Sequence, residues 1–77
     1  MTPLLERIAE AGRLAVKEMN DGQSAHARGY LAEREGLCAA QDGRHENLFV
    51  EQALRDRYEM GWRDGSKLKE IEEAITK

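Results

Sequence analysis

Seventy-seven residues, a 40% apolar fraction and four aromatics leave room for one small domain with a thin core. The net charge is −3 and no segment is rich in Lys and Arg, which excludes avid nonspecific binding to nucleic acid. No run approaches the roughly 20 apolar residues of a membrane span. The start, Met1 to Glu6, lacks the basic and apolar regions of a signal peptide. The single Cys38 leaves no intrachain disulfide. These features predict a cytoplasmic protein.

Thr2 is placed to cap a first helix over residues 2–19, with Pro3 at its first position, where a missing N–H is harmless. Leu5, Ile8, Gly12, Ala15 and Met19 follow at helical spacing, widened by Leu4 and Val16, and predict one buried face. The charges of Glu6, Arg7, Glu10, Arg13 and Lys17 lie mostly outside it. Asn20-Asp21-Gly22 is a stop-and-turn signal.

Ser24 is a candidate cap for a second helix running to about Glu35, with Gly36 as the left-handed residue beyond its end. Ala25, Gly29, Ala32 and Gly36 form a stripe of small residues suited to close helix contact. Residues 37–46 are the least regular part, with a turn at Gln41-Asp42-Gly43-Arg44, and Leu37, Cys38, Ala39 and Ala40 either extend the second helix or tuck a loop against the core.

A third helix is expected to start near Asn47. Its face carries Val50, Leu54, Tyr58, Gly61, Gly65 and Leu68, and the same phase continues through Ile71 and Ile75. That continuity favours one long helix, with a bend allowed at Gly65. No segment alternates as a strand does. The predicted architecture is therefore all-α, a small bundle of three helices in which residues 1–77 form one domain.

Gly29 and Gly61 each precede an aromatic, Tyr30 and Trp62, inside helical runs. Glycine in a helix interior costs roughly 1 kcal/mol relative to alanine, so close approach of another helix is the simplest reason for it. The expected crossing joins Gly29 to Gly61 and buries Tyr58 between them.

Few residues suggest chemistry. His26, Cys38 and His45 are the only soft metal ligands, and their spacing matches no zinc pattern. Neither a metal nor a cofactor is expected, and a chain this small gives Cys38 little room for a catalytic pocket. We therefore do not expect an enzyme. The arginines alternate with carboxylates, as on a solvated face of weak ion pairs. A sharper alternative sets Arg28, Arg34 and Arg63 beside the rings of Tyr30 and Trp62 for stacking and phosphate contact.

Ala27-Arg28-Gly29-Tyr30-Leu31-Ala32, then Gly36 and Cys38, then Tyr58-Glu59-Met60-Gly61-Trp62-Arg63 resemble the ribosome modulation factor family over about residues 24–67. The resemblance implies a pair of helices joined by a linker. It also implies binding to small-subunit ribosomal RNA and inactivation of ribosomes, and it points to Arg28, Tyr30, Trp62 and Arg63 as contact residues. Residues 2–19 and 68–77 would be additions to that unit. The family is basic and this chain is acidic, which favours a protein partner instead. The leading expectation is a small adaptor or inhibitor, of the kind bacteria and phages encode. Trp62 would be its anchor, with pairing to a second copy to supplement the thin core.

Overall fold

The computed structural model describes residues 2–76, which form α1 (Pro3–Asn20), α2 (Ser24–Gln41) and α3 (Gln52–Thr76). The protein is an all-α bundle of three helices. The Thr2 side chain accepts from the Leu5 N–H at 3.3 Å and caps α1 as expected. Gly22 (φ 77°) makes the turn that ends it.

The face that α1 buries is Leu4, Ile8, Ala11 and Ala15. Ile8 and Ala15 of the expected stripe are buried, with Leu4 beside them, but Ala11 joins them from outside it and Leu5, Val16 and Met19 are exposed. The sequence holds two adjacent apolar stripes, and the alanine-bearing one faces inward. Its smaller side chains bring α1 closer to α2, and Leu4, Ile8, Ala11 and Leu37 make a compact cluster with Cys38 and Leu68 at its edge.

The second helix is longer than predicted. It runs through Gly36 to Gln41, and Gly43 (φ 71°), not Gly36, takes the left-handed conformation beyond it. Ser24 lies inside the helix; Gln23 is the N-cap and makes no side-chain capping bond. The third helix starts later than predicted, at Gln52, because the Asn47 side chain bonds elsewhere and Glu51 O accepts the first N–H bonds, from Leu54 and Arg55. It then passes without interruption through Gly65 to Thr76. Ile71 and Ile75, placed by phase on its buried face, are 52% and 76% exposed because that end outruns the other helices.

Contacts between α2 and α3 advance together along both helices: Gly29 with Arg57, Glu33 with Gly61, Leu37 with Gly65. The two helices therefore run in the same direction. Parallel neighbours need a return connection, which residues 42–51 supply. An extended chain covers about twice the length per residue that a helix does, so this short segment suffices.

The predicted crossing is displaced. Gly61 meets the backbone of Glu33, and Gly36 meets the backbone of Tyr58 and Trp62. A Cβ at Gly36 would lie 2.8 Å from Trp62 N and closer still to Tyr58 O; one at Gly61 would lie 2.9 Å from Glu33 C and closer still to its carbonyl oxygen. Gly29 faces only the end of the Arg57 side chain, 3.1 Å from where a Cβ would be. The partner of Gly61 is thus about one helical turn further along α2 than expected. Tyr58 is buried at the seam, as predicted, and is 2% exposed.

Gly36→Ala and Gly61→Ala are each expected to cost about 1–3 kcal/mol or more by overpacking backbone against backbone. Gly29→Ala should cost less than either, since only the Arg57 guanidinium, held by Glu33 and Tyr30, must give by a few tenths of an ångström, and the helix-interior glycine cost of roughly 1 kcal/mol is removed in return. Thermal unfolding of the three variants checks this ordering. Equal losses at all three positions would contradict the displaced crossing.

Candidate functional site

Two polar constructions stand on opposite sides of α2. One holds the helices together. The other fixes the segment between them.

The first centres on Glu33, whose side chain is 4% exposed. Its carboxylate accepts from Arg7 of α1 and, at 3.2 Å, from Arg57 of α3. A buried carboxylate needs such partners, and here each comes from a different helix. The Arg57 guanidinium also lies 4.9 Å from the centre of the Tyr30 ring, a cation–π contact. At the far end of α1, the Leu4 N–H donates to Glu72 of α3 at 2.7 Å, which places an anion at the helix N-terminus. No motif marked Glu33 in the sequence. Its only signal was a charge adjoining the small-residue stripe of α2.

The second construction is a strap, residues 44–50, that runs back along α3. Trp62 Nε1 donates to Arg44 O at 2.8 Å, and Glu46 N donates to Tyr58 Oη at 2.9 Å. Asn47 Nδ2 donates to Arg55 O at 3.1 Å and to Glu59 at 2.9 Å. His45 Nε2 lies 2.8 Å from the same Glu59 carboxylate. Arg55 donates to Phe49 O at 3.0 Å. The His45 ring stands edge-on to Tyr58 and Trp62, with centroids 5.6 and 5.0 Å apart. Successive residues of an extended chain point to opposite sides. With Asn47 and Phe49 turned inward, Leu48 and Val50 face outward and are 79% and 94% exposed.

Between strap and α2 lies a groove of about 400 Å³. Cys38, Ala39, Phe49 and Tyr58 give it an apolar floor, and Arg34, Glu35, Arg44, Glu46 and the exposed Leu48 form its rim. Arg34 also borders a shallower groove on the other flank of α2, with Gly12, Arg13, Val16 and Leu31.

The predicted contact residues do not converge. Tyr30 is half-buried beneath Arg57, on the Glu33 side. Trp62 is half-buried under the strap, and its N–H is satisfied within the chain. Arg28 is exposed at the end of the strap and pairs with Glu51 at 2.9 Å. Arg63 is exposed on α3. The rings therefore support structure, while the two cations stand separately at the surface.

No family model, curated protein or solved structure matches this chain. Its chemistry must be read from the geometry. Each histidine faces a carboxylate, His26 that of Glu18 at 3.6 Å and His45 that of Glu59. Neither histidine lines the groove that holds Cys38. Among the described residues, no group of three or more His, Cys, Asp or Glu is arranged to hold a metal, and no helix is long and apolar enough to cross a membrane.

The Asn47 amide, then His45, hold the Glu59 carboxyl below its usual range. A depressed carboxylate stabilises the folded state above its unfolded pKa, and that contribution is lost as pH falls through the folded value. The strap should therefore stay latched at neutral pH and loosen in acid, below the usual glutamate value of about 4.3. Trp62 fluorescence should report an acid transition that precedes loss of helix, and Glu59→Gln should remove it. A transition unchanged in Glu59→Gln would show that another group latches the strap. Glu33→Ala should cost about 1–3 kcal/mol, because it leaves Arg7 and Arg57 without their shared carboxylate; chemical denaturation measures it.

Proposed function

We propose that this protein is a non-enzymatic binding module, an adaptor or inhibitor, that takes a protein partner on the strap side of α2. The single observation behind this reading is the strap itself. Polar bonds to Arg55, Tyr58, Glu59 and Trp62 hold it rigid, yet it directs Leu48 and Val50 into solvent beside an apolar groove. A pre-ordered segment loses little conformational entropy on binding, and adjacent exposed apolar groups gain by being covered. Electrostatics favour a protein over RNA. Arg7 and Arg57 are committed to Glu33, Arg28 to Glu51, and Arg44 to Asp42 and Glu46, in a chain of net charge −3. These pairings weaken the counterion-release term that drives RNA affinity. On this reading Trp62 positions the strap, and Arg28 and Arg63 belong to the polar rim.

A second reading, a ribosome-associated modulator that binds small-subunit ribosomal RNA, has the resemblance over residues 24–67 behind it. It is supported by the glycine-mediated pairing of α2 with α3, the segments that carry the resemblance. Exposed pairs such as Arg28–Glu51 are worth well under about 1 kcal/mol and exchange readily for phosphate.

Affinity capture with the full chain, with and without nuclease, separates the two readings. A protein retained after nuclease treatment, and lost at least about tenfold by Leu48→Asp/Val50→Asp with helicity unchanged, is the expected result. Capture that vanishes with nuclease, together with direct ribosome binding at low salt, would establish the second reading. Capture indifferent to the double substitution would remove the strap from the interface.

A further inference from the structure

The strap does not account for α1. Its outward stripe of Leu5, Val16 and Met19 is 41%, 57% and 61% exposed, and Leu31 of α2 (41% exposed) lies beside it across the shallow groove. Gly12 falls at the middle of this stripe, with only the Arg34 side chain near it. Beside the stripe the charges are sorted along the helix. Glu6 and Glu10 occupy the first half of the helix, and Arg13 and Lys17 the second. Within one helix this sorting is unfavourable in part, because Glu6–Glu10 and Arg13–Lys17 are like-charged i,i+4 neighbours. The helix dipole explains Glu6 and Lys17 in the terminal turns. Glu10 and Arg13, in the middle, offset the repulsion in part as an opposite-charge i,i+3 pair.

We infer that α1 is the dimerisation helix, and that its partner is α1 of a second copy, packed antiparallel about Gly12. Antiparallel pairing by a twofold axis brings the same flank of both helices together. Centred near Gly12, it sets Leu5 against Met19 of the second copy, and Val16 against Ala9. It sets Glu6 against Lys17, and Glu10 against Arg13, each pair occurring twice. Parallel in-register pairing would instead bring like charges to the same level of both helices. Gly12 at the axis lies beneath the Arg34 side chain, whose aliphatic stem forms part of the seam. A seam of five helical turns is at the small end of specific interfaces, so the dimer should be weak and concentration-dependent. The strap lies across α2 from the seam. A dimer would thus present two strap surfaces to a repetitive or dimeric partner and gain avidity.

Sedimentation equilibrium of the full chain tests this across a wide concentration range. The mass should rise from 8.7 kDa toward twice that value. Val16→Glu should hold the protein monomeric, with an unchanged circular dichroism spectrum. Glu6→Lys and Lys17→Glu should each weaken association about fivefold or more, since each reverses two symmetry-related pairs, and the double variant should restore it. A monomer at every concentration would overturn the inference. So would a dimer that withstands Val16→Glu, a double variant that fails to recover, or a dimer lost instead on Leu48→Asp/Val50→Asp. None of these outcomes depends on whether the strap binds protein or RNA.

Discussion

Where α2 meets α3 there is no space for side chains. Gly36 lies against the backbone of Tyr58 and Trp62, and Gly61 against the carbonyl of Glu33. This close approach fixes how the two helices are placed, and the rest of the architecture follows from it. A parallel pair at contact distance requires a chain that returns, and the return must lie on a surface one of the helices provides. Tyr58, Glu59 and Trp62, displayed on the turns of α3 around Gly61, are the groups that receive it. The same contact seats Glu33 inside the bundle, where its carboxylate needs cations and finds them in Arg7 and Arg57.

The aromatics accordingly serve the fold before they serve recognition. A large ring with an N–H or O–H tip is well suited to bridging a helix and an irregular segment, since its flat body packs while its tip satisfies a backbone group. Trp62 does this for Arg44 and Tyr58 for Glu46. What reaches solvent is the alternate set of residues on the bound segment, Leu48 and Val50, whose direction is dictated by the inward turn of Asn47 and Phe49. The surface proposed to take a partner is in this way set by the hydrogen bonds beneath it.

In α1 the same economy of small residues acts more gently. Ala11 and Ala15 let it settle on α2, and Leu5, Val16 and Met19 are left on the outside. A bundle so thin cannot enclose all of its apolar side chains, because the surface of a small domain is large relative to its volume. The unclosed stripe of α1 is a direct consequence, as are the exposed Ile71 and Ile75 where α3 outruns its neighbours.

Local chemistry in the sequence determined the helical class, the cap at Thr2, the turn at Gly22, the unbroken run of α3 and the burial of Tyr58, since each depends on periodicity or on a residue's own backbone preference. It did not determine the ends of the linker: Gly36 suits a helix stop and a helix contact equally well, and Asn47 can cap a helix or tie down a strap. Nor could it choose between the adjacent stripes of α1 or find Glu33, whose value lies in two arginines 26 positions before it and 24 after it in the chain. Those outcomes were decided by tertiary structure, because only the approach of α3 to α2 determines which backbone is too close for a side chain and which polar group is left to be satisfied.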